Sequence, residues 1–191
     1  MRKIIAAINM TLDGFCDHTA ILPDEEIHQH YTELLGHGDA ILYGRTTYQL
    51  MEFWRTFLEN PSEEKSMNDF AIAIDTIPKI VFSHSLNHVE WKSATLATRD
   101  LKQTVLELKQ TSKDGSKDIL VGSRSLIIQL LKLNLIDELQ LCVHPVIAGG
   151  GLTLFENIND RIILNLIKTK TFGSGAVTHY YEPTTIPIGE V

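Results

Sequence analysis

The chain has 191 residues, with 17 Lys+Arg against 24 Asp+Glu and a formal net charge of −7. Its 43% apolar and 21% charged residues are those of an ordinary globular protein; they exclude a disordered chain, and no run approaches the roughly 18 consecutive apolar residues of a membrane span. The acidic balance argues against general nucleic-acid binding, which needs a basic surface, but leaves room for a local cationic pocket.

The first predicted element is an apolar strand over residues 3–9. Its basic start and short apolar run end at Asn9 and are followed by Asp13, which reads as a buried strand rather than a secretion signal. A helix is expected over 23–35, with Pro23 in the first turn, Asp24, Glu25 and Glu26 at its positive end, and Ile27, Tyr31, Leu34 and Leu35 on one face. A short buried strand follows at 40–43. Residues 46–58 read as one helix carrying Tyr48, Phe53, Trp54 and Phe57. The polar stretch 59–69 reads as a mobile loop, overlapping a short helix at 66–75. Strands are expected at 79–82 and 94–97, and a helix from Asp100 to Gln110 with Gln103 placed for a capping box. A strand at 118–121 and a helix at 125–133 come next. Three strands then follow, at 137–144, 162–172 and 176–181, the last two joined by the hairpin signal Gly173-Ser174-Gly175. The tail 183–191 reads as a fraying terminus.

Strand–helix alternation ending in a hairpin predicts one α/β domain with a mostly parallel sheet and antiparallel C-terminal strands. Ligands of such sheets bind beyond the carboxyl ends of the strands. Three segments fall there: Gly44-Arg45-Thr46-Thr47, Ser83-His84-Ser85, and Gly122-Ser123-Arg124-Ser125 after Val121. Each offers hydroxyls with a cation or histidine, and two lead into a helix N-terminus, where open amides favour an anion. Singly they are ordinary caps and turns; together, with two arginines, they point to a nucleotide with several phosphates. Neither G-x-G-x-x-G nor G-x-x-x-x-G-K-[ST] occurs, so a Rossmann domain and a P-loop are both disfavoured. The G-x-S-x-G elbow of serine hydrolases is also missing. The eight histidines show no ligand spacing, and no metal is expected. Cys16 and Cys142 form no disulfide framework, which places the chain by default in a reducing cytoplasm.

The ordered set Asn9-Met10-Thr11-Leu12-Asp13-Gly14, Leu42-Tyr43-Gly44-Arg45-Thr46-Thr47-Tyr48, Val81-Phe82-Ser83 and Leu120-Val121-Gly122-Ser123 resembles the dihydrofolate-reductase-like superfamily. The segment from Ile136 to Gly151, with Asp137-Glu138, Pro145-Val146-Ile147 and the glycine run, then Leu154-Phe155, narrows the resemblance to the C-terminal reductase domain of bacterial riboflavin-biosynthesis proteins. The resemblance implies a three-layer dihydrofolate-reductase-like fold, NADPH as cofactor, and a homodimer using the C-terminal strands. By position, Gly44, Arg45, Thr46 and Thr47 would hold adenosine-side phosphates. Ser83, His84 and Ser85 would meet the 2′-phosphate or adenine. Val121, Gly122, Ser123, Arg124 and Ser125 would take the pyrophosphate, and Ala7, Asp13 and Gly14 would approach the nicotinamide. The family usually has Gly-Gly where this chain has Gly122-Ser123, so the serine either crowds the pyrophosphate or donates to it.

Dihydrofolate reductases use a carboxylate early in the first helix, and Glu25 is the best positional match for a pterin-binding or proton-relaying acid; the alternative is a plain helix-dipole acid. Tyr48, Phe53 and Trp54 are either walls for a flat heteroaromatic substrate or core. Gly149, Gly150 and Gly151 form either a flexible loop beside that substrate, with Pro145 on its rim, or a plain linker. The expected activity is reduction of the ribosylamino-pyrimidine intermediate of riboflavin synthesis. The alternatives are reduction of dihydrofolate or another pterin, and NADPH binding without turnover. A further alternative, an interaction protein whose turns are only caps, rests on the bland reading of the same segments.

Overall fold

A computed structural model describes residues 2–111, 115–158 and 161–186. The strand β1 (Ile4–Thr11) begins with Ile4, Ile5 and Ala6, all buried, as a strand covered by helices on both faces must. Helix α1 (Glu25–Gly36) starts on Asp24, whose Oδ1 accepts from the Ile27 amide at 2.9 Å; Pro23 lies just outside it. β2 (Gly38–Gly44) runs straight into α2 (Arg45–Met51), a 3-10 turn (Glu52–Arg55) and the short α3 (Thr56–Glu59). α4 (Lys65–Thr76), β3 (Lys79–Phe82) and β4 (Ala94–Leu96) follow. α5 (Leu101–Gln110) is capped by Asp100, which accepts from the Gln103 amide at 2.8 Å. β5 (Asp118–Val121), α6 (Arg124–Lys132), β6 (Glu138–His144), β7 (Arg161–Thr171) and β8 (Val177–Ile186) complete the described elements.

The strands form an eight-stranded sheet in the order β4-β3-β2-β5-β1-β6-β8-β7. Pairs from β4 through β6 are parallel; β8 is antiparallel to β6, and β7 to β8. Side chains alternate across the central strands. Ile4, Ala6, Leu42, Ile119 and Val121 meet α5 and α6 through Leu101, Val105, Leu126, Ile127 and Leu130 on one face. Ile5, Ile41, Tyr43 and Leu120 meet Leu35 of α1 and Ile74 of α4 on the other. The result is the expected three-layer α/β fold. Among the described residues no helix is long and apolar enough to cross a membrane.

Three expectations need correction. The helix expected over 46–58 is broken at Glu52–Arg55. The tighter 3-10 turn lets Trp54 pack edge-on against Phe70 of α4 (4.6 Å between ring centroids) and His28 of α1 (5.4 Å). Within 59–69, residues from Lys65 onward are already helical, and the Ser62 amide is tied to Asn68 Oδ1 at 2.8 Å. The terminus does not fray at Pro183: β8 continues to Ile186, with Pro183 opposite Leu164. Pairing with β6 stops at Tyr181, so this proline sits where one edge of β8 has no strand partner among the described residues, and its missing N–H is tolerated. Residues 187–191 of that tail lie outside the described residues.

Candidate functional site

The parallel strands end on one edge, and the turns after β3, β2 and β5 leave it side by side because β3 and β5 flank β2. The Gly44 amide donates to Ser123 Oγ at 2.9 Å, joining the β2 and β5 turns through a buried bond. Ser123 is only 1% exposed. Its hydroxyl is thereby turned from its own helix, and α6 begins with no side-chain cap. The helix end left open in this way is the arrangement that receives an anion. A β-carbon on Gly44 would lie 3.3 Å from Ser125 Oγ, and one on Gly122 3.1 Å from Tyr43 Cε1, so both turns approach their neighbours at glycine distance. Ser123 thus neither stands free in the turn nor caps α6; it fastens two turns together.

Arg45, exposed at the start of α2, donates from Nη1 to Ser85 Oγ at 2.8 Å and brings in the third turn. It has no carboxylate partner among the described residues. Ser83 Oγ accepts from the Ser85 and Leu86 amides at 3.1 and 3.0 Å, so this hydroxyl shapes its own turn. His84, Thr46 and Ser125 are exposed, Thr47 is half-buried, and Val121 is buried at the end of β5.

Arg124 does not join Arg45 as a free cation. Its Nε donates to the Thr153 carbonyl at 2.5 Å and its Nη2 pairs with Glu156 Oε1 at 2.6 Å. The expectation of two phosphate-facing arginines reduces to one, because the second braces α6 against the segment after β6.

That segment is itself clasped to the loop after β1. Asp13 accepts from Thr11 Oγ1 at 2.6 Å and from the Ala148 and Gly149 amides at 3.1 and 2.7 Å. These donors, the Thr11 hydroxyl foremost, hold the Asp13 carboxyl down to about 2. Asp17 Oδ2 accepts from the Leu152 amide at 2.5 Å, the Leu12 amide reaches the Val146 carbonyl at 2.8 Å, and Phe15 forms a bridge with Thr153. Gly151 has φ +135°, and a β-carbon there would collide with Asp17 Oδ2. Gly149, Gly150 and Gly151 are exposed, but this loop is fastened at both ends rather than free, and Asp13 faces its amides. Gly14 (φ +92°) turns the chain beneath it, and Pro145 sits against the β7–β8 hairpin turn, near Gly175.

On the α1 side of the same edge, Glu25 is exposed, and among the described residues its carboxylate accepts only from Gln29 Nε2, at 3.2 Å. The expected acid at this position is a helix-start residue. Tyr48 is likewise no substrate wall: it is 3% exposed, and its hydroxyl accepts from the Glu90 amide at 3.0 Å and the Trp91 amide at 3.3 Å. Trp54 is half-buried among Phe53, Phe57, Phe70 and His28, and Phe53 is the most exposed member at 59%. Ala7 is half-buried on β1.

The model of the RibD C-terminal domain matches residues 2–178. The chain belongs to the RibD C-terminal domain family. It is 34% identical over 188 residues to the uncharacterized protein YyaP of Bacillus subtilis (strain 168), covering 94% of both chains. Its fold is similar to that of a protein from Shewanella sp. PV-4 crystallised under the provisional description of a riboflavin biosynthesis protein (TM-score 0.68, 20% identity, 96% of this chain and 99% of that one). It is also similar to Acinetobacter baumannii RibD (TM-score 0.64, 13% identity, 96% of this chain and 58% of that one).

Within this RibD-type framework, sequence reasoning missed a polar group on the α1 side of β1. Asn9 Oδ1 accepts from the Tyr31 hydroxyl at 3.1 Å and lies 3.0 Å from His144 Nε2. Cys142 Sγ is 3.6 Å from the same nitrogen. Burial lowers the pKa of His144 and raises those of Cys142 and Tyr31, so all three are neutral at pH 7. One turn before Tyr31, His28 is nine-tenths buried, and its Nδ1 has no partner among the described residues. The signal for this group was the alternation of β1, which puts Ala7, Asn9 and Thr11 on one face. Among the described residues no group of three or more His, Cys, Asp or Glu is placed to hold a metal ion.

Proposed function

We propose that the protein is an NADPH-dependent reductase acting in the cytoplasm on a pyrimidine, of the 5-amino-6-(5-phosphoribosylamino)uracil reductase type. The observation that carries this reading is the uncapped start of α6 beside the Gly44–Arg45 turn. The RibD C-terminal domain family is a reductase family and generally uses NADPH, which supports the same reading.

The donor set fits such a cofactor. Two turns where a β-carbon would be tight, an open helix end and an arginine with no carboxylate partner among the described residues suit a diphosphate with one more phosphate nearby. Gly44, Thr46, Thr47, Gly122 and Ser125 would line the diphosphate, with Ser123 fastening the two turns. Arg45, with His84 and Ser85, would hold the 2′-phosphate. Ala7 would face the nicotinamide side. When bound, NADPH supplies the hydride, and the protein supplies position and charge complementarity. Asp13, anionic at neutral pH, keeps the loops over this edge in place.

The reading includes a homodimer built on the C-terminal strands. Supporting it, the edge strand β7 exposes Ile163 (37%), Leu166 (57%) and Ile167 (53%).

The test is a titration of NADPH and of NADH followed by tryptophan fluorescence, then NADPH oxidation with the ribosylamino-pyrimidine or with dihydrofolate. Preference for NADPH and turnover with the pyrimidine are expected. Binding of neither cofactor overturns the reductase reading; turnover with dihydrofolate alone overturns the pyrimidine.

A further inference from the structure

Asn9 sits in the carboxyl half of β1, on the α1 face that it shares with Ala7, and it is half-buried. Its carbonyl oxygen is fully engaged. The Tyr31 hydroxyl is buried and needs an acceptor, and Asn9 Oδ1 is the one it has among the described residues, at 3.1 Å. That fixes which end of the amide is oxygen. Oδ1 is acceptor-only, so His144 Nε2, at 3.0 Å, carries its proton and donates as well. The two donors lock the amide plane. The Asn9 Nδ2 group, with two N–H donors, has no acceptor among the described residues. It stands two residues along the same β1 face from the short Ala7 side chain, and on the facing helix His28 Nδ1, buried and without a partner among the described residues, lies one helical turn from Tyr31.

We propose that Asn9 is the specificity-determining residue of the ring site: its Nδ2 donates to a carbonyl oxygen of a pyrimidine-dione ring, with Tyr31 and His144 as positioning residues. This inference rests on the reductase reading and names the ring it acts on. A pterin-type edge, an amino group beside a ring N–H, asks for a carboxylate acceptor. The one expected, Glu25, is exposed and bonded to Gln29; the carboxylate whose charge does reach His28, Cys142 and His144 is Asp24, and its Oδ1 is taken by the Ile27 amide as the α1 cap, so Asn9 is the group that presents free donors. A pocket that pairs a buried polar group correctly with one ring edge penalises the opposite edge, because mispaired groups stay unsatisfied.

The test exchanges donor for acceptor. Asn9→Asp keeps an oxygen for both Tyr31 and His144 and replaces the NH2 by a second acceptor. Binding of 5,6-diaminouracil and of 2,4-diaminopyrimidine is measured by fluorescence on the NADP+-loaded wild type, Asn9→Asp, Asn9→Ala and Tyr31→Phe, with a thermal melt to check folding. The wild type is expected to prefer the diaminouracil. Asn9→Ala loses about tenfold of that affinity, and Asn9→Asp reverses the preference. Tyr31→Phe narrows the preference without reversing it. An Asn9→Asp protein that keeps the wild-type preference overturns the inference, as does a wild type that binds NADP+ but neither ring. A wild type that fails to bind NADP+ yet discriminates between the rings leaves the inference standing and overturns the reductase reading.

Discussion

The Gly44 amide and the Ser123 hydroxyl, from turns after two neighbouring parallel strands, meet in a buried bond of 2.9 Å. Removing it with Ser123→Ala leaves the Gly44 N–H buried without an acceptor, at a cost of about 1–3 kcal/mol. The urea midpoint is expected to fall accordingly, and NADPH affinity to fall with it as the two turns lose register. A variant with unchanged midpoint and affinity would show that the bond fastens nothing.

Arg45 and Arg124 are expected to separate cleanly. Among the described residues the Arg45 guanidinium bonds only to Ser85, so Arg45→Ala should leave the melting temperature nearly unchanged. It should lower the NADPH-over-NADH preference by about tenfold or more, the scale of one charge-assisted hydrogen bond. Arg124 braces Thr153 and Glu156, so Arg124→Ala should lower the melting temperature while leaving that preference in place. Titrating both cofactors on both variants checks the pair of expectations; the opposite pattern would reassign the two residues.

Glu25→Gln is expected to leave kcat/KM within about twofold, since a surface carboxylate contacting one glutamine contributes little. Asp24→Ala, by contrast, removes the α1 cap and should cost about 1 kcal/mol of stability. Steady-state rates across pH 6–8 decide this: a large loss in Glu25→Gln would restore the acid to the mechanism.

His30 gives the fold a defined acid weakness. It is buried against Tyr31, Phe172 and Tyr180, and burial, with Lys170 and Lys168 adding and Glu33 opposing, lowers its pKa to about 4 from an ordinary 6.5. The unfolded chain therefore takes up a proton that the folded chain refuses. Stability is complete above about pH 6.5 and declines as pH falls toward 4, by up to about 3 kcal/mol. His30→Phe should flatten this limb, seen as a smaller gap between urea midpoints at pH 7.5 and 4.5 than in the wild type. An unchanged gap would place the acid sensitivity elsewhere.

The homodimer predicts a response at one edge. Leu166→Glu, with a side chain already exposed in the single chain, should leave the monomer folded and abolish dimerisation in light scattering. A wild type that is monomeric at all concentrations would remove the dimer from the functional reading.

The three-layer sheet was legible because its strands are short apolar runs and its helices begin with acids or hydroxyls, signals read within a few residues. Helix 46–58 was misread because its aromatics also fit a helical period; only contact with Phe70 and His28 selects the 3-10 turn at Trp54. Pro183 looked like an ending because proline usually interrupts strands, and the unpaired edge that admits it is a property of the sheet. In the candidate site, the turns at Gly44 and Gly122 were visible from their place after strands. The use of Arg124, Asp13 and Tyr48 was not, since each is committed to a partner between 29 and 136 residues away, at Thr153, Gly149 and Glu90 among others. Asn9 was in view as part of a motif, but its role appears only when Tyr31 and His144 converge on one oxygen.

The clasp between the loop after β1 and the glycine-rich loop after β6 divides substitutions there into two kinds. Its acceptors are the Asp13 and Asp17 carboxylates, while its donors are main-chain amides, of which those of residues 148 and 152 almost any residue supplies and that of Gly149, at φ +73°, favours glycine. Side chains at 148 and 152 are therefore interchangeable, and Gly150, which has open space around it, can accept a β-carbon. The two aspartates and Gly151, squeezed against Asp17 at a left-handed φ, cannot vary in the same way. Drift in this loop can reshape the rim of the cleft, and with it the choice of ligand, while the scaffold underneath stays closed.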